Sequence, residues 1–162
     1  LGDHAVNIAN HAAAMQRNST AFSPTALHEL AVLESVLINI LNETDRTFRK
    51  RDAAAAERME PLVQVTGELI AVLKRNHLKR MSTGECNVYA DAIFSDLMVE
   101  FHRIGDVCSN VGVETLTRVN TELESKAHEF ISSLHSGHDE TFNERYNAAH
   151  KEFFDRLANK SA

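Results

Sequence analysis

The chain has 162 residues, about the length of one domain, and its 23 acidic and 17 basic residues give a net charge of −6. The basic residues are scattered rather than gathered into a stripe, which argues against nucleic acid as a partner. Two cysteines, Cys86 and Cys108, are too few to staple such a domain and lack C-x-x-C spacing, so we expect a reducing, cytoplasmic setting.

The first 16 residues predict a helix. Apolar side chains recur there at spacings of four, three, four and three residues, which places them on one face: Leu1, Ala5, Ile8, Ala12 and Met15. No capping residue precedes this pattern. Residues 1–16 are therefore expected to be the end of a helix whose upstream sequence has been cut away, followed by a polar linker over residues 17–23.

Residues 24–120 predict three long helices, and the first of them runs from about 24 to 50. Ser23 is its candidate N-cap, and Pro24 fits the first helical position. Its apolar stripe consists of Leu27, Leu30, Leu33, Leu37, Ile40, Leu41 and Phe48. Because its longest apolar stretch is broken by Glu34 and Asn39, we expect no membrane span and a soluble chain.

The second and third helices of this region also have recognisable ends. Asp52 is placed to cap the second helix, which contains Pro61 and stops at Gly84. The third helix starts near Asn87 and continues to about residue 120. Its predicted buried face consists of Ala90, Ile93, Phe94, Leu97, Phe101, Ile104, Cys108 and Val111.

Residues 121–162 predict a C-terminal helical extension. Its first helix carries Leu123, Ala127, Phe130, Ile131 and Leu134, and its second carries Phe142, Tyr146, Ala149, Phe153 and Leu157. The aromatic series of the second helix is suited to packing and equally to the seam of a dimer. We predict an all-α fold: an antiparallel three-helix bundle over 24–120, with the first and last helices packed on it or on another subunit.

A short element occurs twice in the chain. Leu1-Gly2-Asp3, followed by Asn7-Ile8, aligns with Ile104-Gly105-Asp106, followed by Asn110-Val111. On a helix, the Asp and Asn of each copy lie one turn apart, opposite the apolar stripe.

The second copy adds a further polar residue to this face. His102 lies four residues before Asp106, so that His102, Asp106 and Asn110 form a polar ridge over two turns. An imidazole and a carboxylate one turn apart can share a metal ion, and the Asn amide is a weaker oxygen donor. The same pattern is also typical of the solvated face of an ordinary bundle helix.

Several segments together resemble the PhoU family of phosphate-uptake regulators. Residues 1–9 are similar to the I-G-D-H-A-V-N-I-A signature of PhoU. The segments His77-Leu78-Lys79-Arg80-Met81, Gly84-Glu85-Cys86 and 102–110 resemble the PhoU-like domain at the cytoplasmic C-terminus of bacterial Na/Pi cotransporter family proteins. Glu60-Pro61-Leu62 matches an E-P-L element of that domain.

The resemblance implies two tandem three-helix bundles in the full domain, of which this chain keeps only the end of the first. It also implies metal binding by Glu-x-x-x-Asp pairs. The Asp of each pair is present as Asp3 and Asp106, but His102 replaces the second Glu, Val107 replaces a His, and Gly67 stands at an acidic position. With fewer carboxylates, any metal retained at Asp3, His102 and Asp106, beside Asn7 and Asn110, is expected to be zinc, nickel or iron.

We therefore predict a non-catalytic regulatory domain of a sodium-dependent phosphate transporter, on the cytoplasmic face of the membrane. Its expected partners are the transporter's membrane domain or phosphate-signalling proteins, and it is expected to form a homodimer. Cys108 is predicted to be a core residue rather than a nucleophile. Three alternatives stay open: a freestanding regulator of phosphate signalling, a metal-dependent enzyme or metal-binding helical bundle that uses the His102 and Asp106 ridge, and a purely structural dimerisation domain.

Overall fold

The computed structural model describes residues 1–84, 87–119 and 139–159, and all regular structure in these ranges is helical. The helices are α1 (Gly2–Arg17), α2 (Pro24–Lys50), α3 (Ala53–Ser82), α4 (Val88–Val119) and α5 (Glu140–Ala158). The prediction of an all-α fold is confirmed. The predicted helix that carries Leu123 to Leu134 lies outside the described residues.

Side-chain caps fix where three of the helices begin. The Ser23 hydroxyl accepts a hydrogen bond from the Ala26 amide at 3.2 Å, and Asp52 accepts one from the Ala55 amide at 3.1 Å. Both predicted caps are therefore confirmed. Asp139 caps α5 in the same way, accepting from the Phe142 amide at 2.7 Å. Each bond satisfies an amide that the first turn of a helix leaves without a partner.

Helices α2, α3 and α4 pack on one another and enclose the core. Short links join them, so successive helices run antiparallel. Their inner stripes include the largest fully buried side chains: Leu33, Val36, Ile40, Met59, Val65, Leu69, Leu73, Phe94 and Met98. Burial of roughly ten such side chains, at about 1.5–3 kcal/mol each, holds the bundle together.

The two outer helices contact the bundle of their own chain. Helix α5 packs mainly on α3, where Phe142 and Phe153 are buried. The Tyr146 hydroxyl donates a hydrogen bond to Glu68 of α3 at 2.8 Å. Phe142 and Phe153 of α5 are therefore buried against the bundle of this chain, and a dimer seam on this helix stays a prediction. Helix α1 packs on α4, but none of its residues is buried.

Judged by length and composition alone, one helix in the described part of the chain could cross a membrane, and that helix is α2. The sequence analysis expects no membrane span because Glu34 and Asn39 interrupt this apolar run, and that expectation stays a prediction. The inner stripe of this helix is buried against α3 and α4. A core helix of a soluble bundle meets the same criterion.

Candidate functional site

The predicted polar ridge lies on the outer face of α4. His102 Nδ1 is 3.2 Å from Asp106 Oδ2, and Arg103 Nη1 is 3.8 Å from the same oxygen. His102 and Asn110 are exposed, and Asp106 is half-buried. Because these side chains point away from the core, the prediction that the repeated element presents its polar residues outward is confirmed for α4.

The first copy of the element, on α1, points in a different direction. Asp3 is exposed in the first turn, while Asn7 Nδ2 donates a hydrogen bond to Glu100 Oε1 at 2.9 Å. Glu100 and His102 are two residues apart on α4, which separates their side chains by about 200° around the helix axis. The α1–α4 contact and the His102–Asp106 pair therefore occupy different sides of α4.

The structure thus brings together only part of the predicted metal site. His102 and Asp106 meet, but Asp3 and Asn7 do not join them. In residues 1–84, 87–119 and 139–159, no group of three His, Cys, Asp or Glu side chains is placed to hold a metal ion. Protein zinc sites ordinarily use three or four protein ligands. The described residues do not fit a metal centre at this ridge.

Glu100 connects α1 to α4. Its Oε2 lies 2.6 Å from His4 Nδ1, and its other oxygen accepts the hydrogen bond from Asn7. The hydrogen bond with His4 is the main cause that lowers the pKa of Glu100. The hydrogen bond with Asn7 and the charges of His4 and His11 lower this pKa further, whereas burial raises it by less than the His4 bond lowers it. The carboxylate is therefore charged at neutral pH and binds α1.

A buried ion pair, which the sequence analysis did not predict, lies between α2 and α3. Arg80 Nη1 is 2.8 Å from Glu29 Oε2, and the two side chains are 6% and 3% exposed. Asn76 Nδ2 donates to the other oxygen of Glu29 at 2.8 Å, and the Arg80 guanidinium lies over the Phe94 ring. Glu29 lies four residues before Leu33 on the inner stripe of α2, a position that signals a buried charge.

A second buried polar pair lies next to the first. His77 stacks on Phe94 with ring centroids 4.6 Å apart, and its Nε2 lies 4.0 Å from Asp91 Oδ1. Neither of these two atoms has a hydrogen-bond partner. His77 is buried, and stacking on Phe94 orients its ring. A cavity of about 30 Å³ adjoins the pair.

Other residues that carry the resemblance to the PhoU family also lie inside the bundle. Ser109 donates a hydrogen bond to the buried carboxylate of Glu60 at 2.7 Å, which links α4 to α3. Cys108 is fully buried, and burial raises the pKa of its thiol. A buried protonated thiol is a poor nucleophile. These residues fix how the helices pack.

The chain matches no family model, no curated protein and no solved structure.

Proposed function

We propose that this chain is a non-catalytic regulatory domain of the PhoU type, which controls or scaffolds phosphate uptake from the cytoplasmic face of a sodium-dependent transporter. The observation that carries the proposal is the duplicated element. Its two copies begin α1 and occupy the middle of α4, where Asp3 and Asn110 are exposed and Asp106 is half-buried. An element repeated on two helices in this way is what a tandem arrangement of related bundles requires.

The position of the other matching residues supports the same proposal. Glu60 contacts Ser109, which joins two of the matching segments, and His77 and Arg80 of a third segment lie against Phe94 in the same bundle. Their role is to set the packing of α3 on α4. The polar ridge of α4 lies outside this packing, where a partner can reach it.

In this proposal the domain acts by contact rather than through a metal. The ridge offers one imidazole, one carboxylate and one amide, which can exchange hydrogen bonds with a partner helix. His102 and Asp106 are 53% and 40% exposed, so a partner reaches both without disturbing the core. Arg103, beside them, adds a positive charge that favours an acidic partner surface.

Phosphate uptake by the native host tests this function. We expect deletion of the gene to change the initial rate of labelled-phosphate uptake, and the wild-type gene to restore it. A ridge variant, His102→Ala with Asp106→Ala, should fail to restore the rate. A matched control on α5, Lys151→Ala with Glu152→Ala, removes two exposed charges elsewhere and should restore it fully.

Two results would contradict the proposal. One is an uptake rate that does not respond to deletion of the gene. The other is stoichiometric zinc, nickel or iron in protein purified without added metal that is lost in the ridge variant, which would favour a metal-binding bundle instead.

A further inference from the structure

A pocket of about 400 Å³ lies where α2, α3 and α5 meet. Each of these helices contributes one arginine to its wall: Arg46 from α2, Arg58 from α3 and Arg145 from α5. Glu43 is the single carboxylate among the described residues that line it, so three positive charges face one negative charge. The whole chain is acidic, with a net charge of −6. The pocket is therefore a local positive site that favours an anionic ligand.

The fold gathers these residues, and the sequence does not group them. Asn39, Glu43 and Arg46 lie four and three residues apart, so they share one face of α2. Arg58 lies in the second turn of α3, and Arg145 lies in the second turn of α5, far away along the chain. Because α5 packs on both α2 and α3, all three arginines line the same pocket.

Glu43 holds two of the guanidiniums in place. Its Oε1 accepts a hydrogen bond from Arg46 Nη1 at 2.9 Å, and its Oε2 accepts from Arg58 Nη2 at 2.8 Å and Nε at 3.2 Å. The Glu43 side chain is only 15% exposed. A guanidinium has more N–H donors than these bonds use, so both arginines keep donors for a ligand. Because both side chains are already ordered, a ligand does not bear that cost.

The carboxylates at the rim of the pocket neutralise it only weakly. Arg145 Nη1 is 3.7 Å from Glu57 Oε2, and Arg58 Nη2 is 3.8 Å from Asp52 Oδ2, so both pairs are beyond hydrogen-bond distance. The Glu57 and Asp52 side chains are 51% and 36% exposed, and water screens their charges. The donors of Arg145 therefore remain available to an anion.

We propose that this pocket binds the phosphate group of a small molecule, and that Arg46, Arg58 and Arg145 hold its oxygens. A phosphate group carries a charge of about −2 near neutral pH and at least three acceptor oxygens, whereas a carboxylate carries one charge and two oxygens. Phosphate therefore matches the excess of positive charge and offers an oxygen to each guanidinium. Binding at this pocket does not depend on the function proposed above.

The rest of the pocket suits the organic part of such a molecule. Pro61, Leu62 and Ala148 supply apolar surface, and Asn39 and Asn42 supply amides that donate or accept hydrogen bonds. The volume of about 400 Å³ lies within the range of roughly 300–1,000 Å³ for small-molecule pockets. Inorganic phosphate alone would leave much of this volume to water, so we expect a phosphate ester to bind more tightly.

Isothermal titration calorimetry of the 162-residue chain at constant ionic strength tests the pocket, with inorganic phosphate and glycerol 3-phosphate as probes. We expect both probes to bind saturably, and glycerol 3-phosphate to bind more tightly. Arg145→Gln and, separately, Arg46→Gln should each weaken binding by at least about tenfold, because each removes one charge and a pair of donors. Arg49→Gln is the matched control: Arg49 is 75% exposed on α2, outside the pocket, and its variant should bind like wild type.

Three results would overturn the proposal. The first is a wild-type chain that binds neither probe; if that chain floats with vesicles that contain phosphatidic acid, the arginines bind a lipid headgroup instead. The second is that Arg145→Gln and Arg46→Gln both bind the probes as wild type does, while circular dichroism shows them folded. The third is that Arg49→Gln weakens binding as much as Arg145→Gln, which would reduce the effect to the overall charge of the chain.

Discussion

The guanidinium of Arg80 lies 2.8 Å from the Glu29 carboxylate, in the interior where α2, α3 and α4 meet. Arg80 also covers the ring of Phe94, and Asn76 holds the second carboxylate oxygen. Two opposite charges in a medium of low polarity attract strongly, but each has lost its hydration. The net effect of the pair on the free energy of unfolding is therefore small. Replacing only one of the two residues, however, leaves the other as a buried charge without a partner.

From this pair we predict that Arg80→Met lowers the free energy of unfolding by about 3–5 kcal/mol. The double variant Arg80→Met with Glu29→Leu should be more stable than the single variant, because no charge is left uncompensated. Denaturant unfolding followed by circular dichroism measures both. A double variant less stable than the single one would show that the pair is not coupled.

The contact between α1 and α4 should depend on pH. The pKa of Glu100 is lowered from its ordinary value of 4.5, chiefly by the hydrogen bond with His4. The charged carboxylate therefore stabilises the docking of α1 fully above pH 4.5, and this stabilisation is lost as the pH falls through the lowered pKa. The protection factors of the α1 amides, which correct for the slower intrinsic exchange at low pH, should fall under those acidic conditions. Glu100→Gln should show fast α1 exchange already at neutral pH, whereas the control Glu114→Gln, exposed on the same helix, should not.

Tyr146 should titrate about two pH units above an ordinary tyrosine. Burial, and then the hydrogen bond with Glu68 and the charge of that carboxylate, raise the pKa of Tyr146 to about 12. Its contribution to stability is present below pH 10 and is lost as the pH rises from 10 towards 12. Tyrosinate absorbance of wild type minus that of Tyr146→Phe isolates this transition, and a midpoint near 10 would contradict the contact with Glu68.

Cys108 should be inert in the folded protein. Its side chain is fully buried, and burial raises its pKa, so little thiolate forms and reagents do not reach the sulfur. In a Cys86→Ser background, Cys108 is the only thiol left. We expect its reaction with a disulfide reagent to be at least about a hundredfold slower in buffer than in denaturant. Comparable rates would place Cys108 at the surface.

Two glycines should respond to alanine in opposite directions. A Cβ on Gly112 would lie 2.5 Å from Met59 Cε, and Met59 is fully buried. We expect Gly112→Ala to destabilise the bundle by about 1 kcal/mol, since overpacking outweighs the gain in helix propensity. Gly67 on α3 has no atom within 4 Å of such a Cβ, so Gly67→Ala should stabilise by up to about 1 kcal/mol. Equal effects would indicate that helix propensity alone decides.

The helices could be predicted because capping residues close by in the sequence determine where they begin. Ser23 and Asp52 cap their helices as predicted, and the inner stripes of α2, α3 and α4 form the core. The buried pair of Arg80 and Glu29 was missed because a charged residue on an apolar stripe looks like an interruption. Its partner lies 51 residues away along the chain, and a spacing pattern cannot identify it.

The candidate site was predictable only along a single helix. His102 and Asp106 meet because residues four apart on a helix are neighbours. Asp3 was grouped with them through the repeat, but similarity between two segments does not place them in contact. Glu100, which binds α1 through His4 and Asn7, had no signal in the sequence, since its partners are more than 90 residues away.

The two-residue link between α2 and α3 has a consequence for the order in which the chain folds. Arg51 takes a left-handed conformation at φ 52°, which turns the chain back within Arg51 and Asp52. Contacts between neighbouring helices close short loops and form early, whereas the contact of His4 with Glu100 must close a loop of 96 residues. We expect α4 to pack on the α2–α3 hairpin first and α1 to dock last. The N-terminal helix then joins the bundle only after the core has formed.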